Sequence, residues 1–320
     1  MHPNLPSVDG MQAVIVRRFG GPEVLEIADV PAPRPGPGQV LIRVAAAAVN
    51  RIDLSTRAGR ITEAGLLAPA PAVALGWDVA GEVTATGPGV TRFAAGDRVI
   101  GLRDLLSAAG TQAEQVVLDE GAVAAAPANA SDAEAATLPL AGLTADRSLE
   151  LTGLRRGQTL LVTGAAGGVG GIVLQLAALR GIRTVAAAGA ADEPLLRRLG
   201  AQHVVAPTDR LGAAVRDLVP GGVDAVIDAA VAGIGAHEAL RGGGVFVALV
   251  APFAPPPLRG TQVVVQEVHA DGARLEELAA LAGAGHLTLR VAQTLPLAQV
   301  AEAHERLAAG GVRGRLVLVP

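Results

Sequence analysis

TLLVTGAAGGVG, residues 159–170, is the stretch whose reading decides the fold. Leu160, Leu161 and Val162 form the apolar run of a buried strand, glycines break it, and GIVLQLAALRG continues with helical spacing to Gly181. Ile172, Leu174, Leu176 and Leu179 fall on one helix face that can be buried. A strand, a tight bend and a helix start in this order bring backbone N–H groups against a dinucleotide pyrophosphate. The strict pattern is G-x-G-x-x-G; here Ala165 takes the first glycine position, and Gly167 and Gly170 take the other two. Gly164, Ala165, Gly167, Gly168, Val169 and Gly170 are therefore the candidate cofactor-binding bend. The alternative is a glycine-rich turn that only packs helix against strand.

Working outward, half of the 320 residues are hydrophobic and 18% are charged, which excludes general disorder and allows two domains. A net charge of −4 without any long Lys/Arg run argues against a nucleic-acid partner. Residues 157–179 carry no charge and reach membrane-spanning length, but their six glycines gather at a turn and fit strand, bend and helix better. The opening MHPNLPSVDG lacks the charged and apolar regions of a signal peptide, so the expectation is a cytoplasmic protein with no membrane partner. With no cysteine, the chain has no disulfide, thiolate nucleophile or cysteine-ligated metal; with no tyrosine, it has no phenolic proton donor.

Short β-rich segments at Met11–Val16, Val40–Val49, Val73–Val83, Arg98–Leu102 and Ala113–Leu118 predict a β-dominated first domain. From about Ser131 helical stretches alternate with strands at Leu160–Thr163, Thr184–Ala187, His203–Val205, Ala225–Asp228 and Val245–Val250. That alternation predicts an α/β fold with a parallel sheet flanked by helices. The segments Arg274–Ala282 and Val300–Ala309 read as helices, Pro255–Pro257 as a loop, and Arg315–Val319 as a terminal strand able to return to the first domain. Predicted boundaries are 1–127, 128–268 and 269–320.

Several segments in order carry a family resemblance: VNRIDLSTRAG from Val49, LGWDVAGEV from Leu75, GPGVTRFAAGDRV from Gly87 and ATLPLAGLTA from Ala136. The glycine bend, LGAQHVV from Leu199, VDAVIDAA from Val223 and GGVRGRLVLV from Gly310 continue it. From Met11 onward the chain resembles the medium-chain dehydrogenase/reductase superfamily, in particular its zinc-independent quinone oxidoreductase (zeta-crystallin-like) branch. The resemblance implies a GroES-like β-barrel catalytic domain completed by the C-terminal segment. Inserted in it would be a Rossmann-type, doubly wound parallel-sheet nucleotide-binding domain, with the active site in the cleft between the two. Where zinc-dependent relatives carry Gly-His-Glu this chain reads Gly76, Trp77, Asp78. His2, His203, His237, His269, His286 and His304 are scattered without ligand spacing and read as surface or structural, so no metal is expected.

An NAD-preferring site places an acidic side chain at the end of the second strand. Here that strand ends Val185, Ala186, Ala187, Ala188, Gly189, with no carboxylate until Asp192, so NADPH is expected rather than NADH, beside Ala187 and Gly189. The family's Ser and Lys or Arg at this point are missing, which leaves Arg183 or Arg197 to meet a 2′-phosphate. Asp228 closes the fourth strand, where ligands gather at sheet C-termini, or it caps a helix. By resemblance, Thr144 lies at the nicotinamide end or packs the domain junction, and Val250 to Phe253 line the nicotinamide pocket. Arg315, at the family's Gly-Lys position, reads as a surface charge.

Without metal, thiolate or phenol, direct hydride delivery suits an acceptor that spreads negative charge itself, a quinone or an activated enone. The resemblance makes Asn50 the candidate catalytic amide, donating to a developing enolate-type oxygen; otherwise it is a polar turn residue. Asp53 reads as a cap of the following helix. Arg51 and Ser55 stand where relatives often carry an aromatic residue and, with Trp77, form the candidate substrate pocket; Trp77 also fits the barrel core. The expected partner is a small conjugated carbonyl compound. The alternatives are an enoyl or alkenal reductase and an NADPH-binding structural or regulatory protein with little catalysis. A homodimer is expected through Gln262–Val268.

Overall fold

The computed structural model describes residues 10–104 and 109–320, so His2 and most of the opening segment lie outside the described residues. The chain divides into two compact units: residues to Leu140 with His269–Gly283 and Leu289–Pro320, and Ala141–Val268 with Ala284–Thr288. In the first run, unit 1 forms β1 (Gly10–Val16), β2 (Leu25–Pro31), β3 (Gln39–Val49), β4 (Val73–Ala74), β5 (Asp78–Thr86), β6 (Arg98–Leu102), β7 (Gln115–Asp119) and β8 (Val123–Ala125). Unit 2 contributes β9 (Thr159–Thr163), β10 (Arg183–Ala187), β11 (His203–Val205), β12 (Val223–Asp228), β13 (Leu240–Ala248) and β14 (Gln262–Val265). Unit 1 is then completed by β15 (Val291–Pro296) and β16 (Arg315–Val319).

Unit 1 is organised by β3, long enough to pair antiparallel with β5 and β7 along its length and, at Ala47–Val49, with Leu316–Leu318 of β16. The terminal strand thus closes onto the same unit as the N-terminal strands, in the order β15-β16-β3-β5-β6-β8. Alternation does the sorting: Val40, Ile42 and Val44 turn inward to meet Val79, Val83, Val99, Val116, Leu118 and Val123. A second cluster joins Val14, Val16, Val49, Leu75, Leu316 and Leu318. Burying such a set stabilises the unit by roughly 1.5–3 kcal/mol for each fully buried aliphatic side chain.

Unit 2 is a parallel sheet in the order β11-β10-β9-β12-β13-β14. All five residues of β9 are buried, as a continuous apolar run must be when both faces of a parallel strand are covered. The chain leaves β9 toward β10 and β11 on one side and returns to β12 on the other, so the order reverses beside β9. At such a switch point ligands collect outside the carboxyl ends of the strands.

Three sequence expectations shift. The first unit runs to Leu140 instead of residue 127, because the helix Asp132–Ala135 packs on β3, β5 and β15. Residues 284–288 join unit 2, where the Thr288 N–H donates to Gln175 Oε1 at 2.6 Å. The single run Val73–Val83 splits into β4 and β5 at Gly76, whose φ of +103° ends the strand. A side chain is also excluded there: a Cβ on Gly76 would lie 2.4 Å from the Gln112 backbone nitrogen. Among the described residues no helix is long and apolar enough to cross a membrane.

Candidate active site

In unit 2 the helix Gly168–Leu179 begins directly after the bend, with Gly167 as N-cap and no side-chain capping bond. The first N–H groups of a helix have no acceptor within it and carry the positive end of its dipole, which suits a pyrophosphate. Close approach forces the last glycine: a Cβ on Gly170 would stand 2.4 Å from the Gly164 carbonyl oxygen and 2.8 Å from Ala165 Cα. Ala165 is fully buried, while Gly164, Gly167, Gly168 and Val169 remain partly open. This arrangement fits a dinucleotide and needs no side chain to do so.

Around the bend, Thr163 Oγ1 donates to Asp228 Oδ1 at 2.5 Å and accepts the Ala230 N–H at 3.0 Å. The Ala232 and Gly233 N–H groups donate to the two oxygens of Asp228 at 3.0 and 2.8 Å. Asp228 therefore shapes the loop after β12, and Gly233, not Asp228, is the N-cap of the next helix. Ala187 is buried at the end of β10 and Gly189 is exposed beyond it. Thr144 is buried in the helix Pro139–Thr152, whereas Val250 and Phe253 stand 44% and 54% exposed.

Neither arginine suggested for a 2′-phosphate is placed for it. Arg183 starts β10, paired with Thr159 at the opening of β9, so it sits at the opposite end of the sheet from the bend. Arg197 is engaged by Glu193 at 2.9 Å and by the Gln202 carbonyl. Sequence proximity to the second strand was the only signal for either, and it carried no direction along the strand.

Unit 1 holds a different kind of site. Asn50 precedes the helix Arg51–Arg57, and Asp53, three residues on, accepts the Asn50 N–H at 2.8 Å, the helix-start role expected of it. Asp53 also accepts from the Gly76 N–H at 3.0 Å and from Gln112 Nε2 at 3.3 Å. The Asn50 side chain turns elsewhere: Nδ2 donates to Asp78 Oδ2 at 2.7 Å and to the Ala48 carbonyl at 3.3 Å. Its Oδ1 accepts from Arg315 Nη1 at 2.5 Å. Asp78 completes its shell by accepting the Leu140 N–H at 2.6 Å. Both Nδ2 protons of Asn50 are thus engaged inside the protein, and Asn50 is 1% exposed.

Arg315 is accordingly not the surface charge its place near the C-terminus suggests; β16 pairs with β3 and carries it, half-buried, to Asn50. The burial is felt electrostatically. Burial pushes the Asp53 carboxyl up to about 7, against the N–H bonds from Asn50 and Gly76, with the Asp78 charge adding to the rise and Arg103 opposing it. Burial likewise raises Asp78, opposed by Arg315, and lowers Arg315, opposed by Asp78 and Asp53.

Trp77 is buried, both oxygens of Asp78 are engaged by N–H donors, and among the described residues no group of three His, Cys, Asp or Glu converges. Of the proposed substrate residues, Arg51 is exposed and Ser55 half-buried. His304 is fully buried, its Nδ1 3.2 Å from Arg57 Nη1, and burial lowers it to about 3.

Comparison with known proteins agrees with this geometry. Residues 36–128 match the family described as alcohol dehydrogenase GroES-like domain, and residues 199–318 match the zinc-binding dehydrogenase family. A 2-methylene-furan-3-one reductase of Solanum lycopersicum is 34% identical, covering 97% of this chain and 79% of the relative. An NADPH-dependent alkenal/one oxidoreductase, chloroplastic, of Arabidopsis thaliana is 32% identical, covering 97% and 80%. The solved quinone oxidoreductase from Coxiella burnetii superposes with a TM-score of 0.85 at 28% identity, covering 98% of this chain and all of that one. A chain that shares whole-length identity with such reductases, a GroES-like unit closed by its own C-terminal strand and a parallel nucleotide-binding sheet is an oxidoreductase of the medium-chain dehydrogenase/reductase superfamily, in its quinone oxidoreductase branch.

Proposed function

We propose that this protein transfers hydride from NADPH, without zinc, to a conjugated carbonyl acceptor of the quinone type. The observation that carries the reading is the donor set of unit 1, where a guanidinium, an amide and buried carboxylates stand in place of thiolate and imidazole ligands. Within that set the Arg315 guanidinium can orient an acceptor and stabilise charge spread over a conjugated system, with the amide and carboxylates holding it in place.

Residues 164–170 would hold the coenzyme pyrophosphate by main-chain N–H groups, and the reduced nicotinamide supplies the hydride when bound. NADPH is favoured because no carboxylate follows β10 before Asp192 to receive ribose hydroxyls. The similarity to an enzyme named for NADPH supports the same choice.

The second reading is reduction of an activated carbon–carbon double bond, supported by the two whole-length relatives named as a methylene-furanone reductase and an alkenal/one oxidoreductase. Assembly is proposed as a homodimer through β14, the outermost strand of the unit 2 sheet. Loss of reduced-nicotinamide absorbance against a panel of quinones and enones decides the acceptor: turnover of quinones is expected, and turnover of enones alone selects the second reading. Binding of NADPH with no turnover of either would make the chain a coenzyme-binding protein, and a lower KM for NADH would reverse the coenzyme choice.

A further inference from the structure

Arg315 carries a charge that the protein only partly satisfies. A guanidinium has five N–H donors in a fixed fork and cannot shed its proton, so burying it without acceptors is costly. Among the described residues its hydrogen bonding consists of Nη1 to Asn50 Oδ1 at 2.5 Å, and Nε is buried with no partner. The two carboxylates whose charges reach it do not accept from it: Asp78 is turned to Asn50 and Leu140, and Asp53 to Asn50, Gly76 and Gln112. Asn50 is held from both sides, its oxygen by the guanidinium and its nitrogen by Asp78, which fixes the amide's orientation and leaves no Nδ2 proton for a ligand.

We infer that Arg315 is the group that receives the oxyanion of the acceptor as hydride arrives, and that Asn50 and Asp78 are positioning residues that hold the guanidinium in place. The inference rests on the proposed reduction of a conjugated carbonyl. In the enone case hydride forms a C–H bond at the β-carbon, the double-bond electrons move through the conjugated system onto the carbonyl oxygen, and the resulting enolate oxygen is stabilised by the Arg315 N–H donors. A proton from solvent then bonds the α-carbon as the enolate electrons return. The acceptor gains two electrons and two hydrogens, and the coenzyme is oxidised. A quinone takes the hydride at a ring carbon in the same way; solvent protonates the enolate oxygen, and enolisation of the remaining carbonyl, with loss of one ring C–H proton to solvent and gain of one on oxygen, gives the hydroquinone.

The test compares Arg315→Met and Arg315→Lys with the parent protein, with thermal unfolding to establish that each variant is folded. Arg315→Met is expected to lower kcat/KM about 10²–10³-fold, the effect of removing one oxyanion donor, while the NADPH Kd by calorimetry stays within about twofold. Free guanidinium is expected to restore part of that loss, and Arg315→Lys to retain more activity than Arg315→Met. A separate arm needs no turnover: para-nitrophenolate, a conjugated oxyanion, is expected to bind the NADP⁺-loaded parent and not Arg315→Met. Retained kcat with a tenfold weaker NADPH Kd would place the guanidinium on a coenzyme phosphate and overturn the inference, as would unchanged nitrophenolate binding. If the parent reduces no conjugated carbonyl, the proposed reaction fails, and the nitrophenolate arm alone decides whether Arg315 is an oxyanion receptor.

Discussion

The glycine bend of unit 2 and the polar cluster of unit 1 are built by opposite means. The bend is made of main chain, carries no ionisable side chain, and comes from one continuous stretch, residues 164–170. The cluster is made of side chains, carries two buried carboxylates and a half-buried guanidinium, and is drawn from residues as far apart as Asn50 and Arg315. A backbone site costs little electrostatically and depends on steric room. A side-chain site in low dielectric depends on every partner being present, because each charge left alone is expensive.

That contrast predicts the largest effect at Asp78. Asp78→Ala strips the acceptor from Asn50 Nδ2 and from the Leu140 N–H and removes the carboxylate that acts most strongly on the Arg315 charge. Breaking one partner of a buried charged network costs about 3–5 kcal/mol. Urea unfolding is expected to show a loss of this size for Asp78→Ala and a clearly smaller one for Asp78→Asn, which keeps an acceptor. A loss below about 1 kcal/mol for Asp78→Ala would show that water already shares the cluster and that the two sites differ less than their geometry suggests.

The second test uses pH, to which the bend is indifferent. Asp53 has its folded-state pKa raised from the ordinary 3.8 to about 7, so between those values the folded chain binds the proton that the unfolded chain releases. Its contribution to stability is therefore greatest at low pH and is lost as pH rises toward 7, by about 4 kcal/mol on the scale of 1.36 kcal/mol per pKa unit. His304 runs the other way: lowered from 6.5 to about 3, it is held neutral in the fold, and stability is lost as pH falls below 6.5 because the unfolded chain takes up the proton. The two trends oppose each other from about pH 4 to 6.5, so variants are needed to see them. Relative to the parent, Asp53→Asn is expected to gain stability as pH rises from 4 to 7, and His304→Gln to gain it as pH falls from 6.5 to 4. Flat differences in chemical-denaturation midpoints across both ranges would remove the electrostatic side of the comparison.

The same contrast explains what the amino-acid sequence disclosed. A bend built from neighbouring residues announces itself, and the six parallel strands of unit 2 all overlap segments with apolar runs or β-propensity. Three strands of unit 1 went unforeseen: β2 and β15 because LEIADVP and VAQTLP lie largely exposed, so burial imposes no apolar alternation on them, and β8 because three residues are too few to show a period. Asp53 was legible as a helix-start residue because capping acts over three residues, whereas Asn50 reads as a catalytic amide or a turn residue. The place of Arg315 was not legible, since its partner lies 265 residues away and only the pairing of β16 with β3 brings the two together. Periodicity reports which face a residue takes, not which distant charge it meets.

The smallest expected effect tests the backbone site on its own terms. Gly170→Ala adds one methyl group, and that carbon would stand 2.4 Å from the Gly164 carbonyl oxygen, a backbone atom that cannot swing aside as a flexible side chain would. Overpacking of this kind costs about 1–3 kcal/mol, and relief requires the bend to open. Because the bend is the proposed coenzyme cradle, part of that cost should appear as weaker NADPH binding: tenfold in Kd corresponds to about 1.4 kcal/mol. Calorimetry is expected to show a Kd raised roughly tenfold, with the pH dependence of stability unchanged because no titratable group of unit 1 has been touched. A parent-like Kd for Gly170→Ala would mean that the bend takes up the added carbon without disturbing the coenzyme, and would count against residues 164–170 as its cradle.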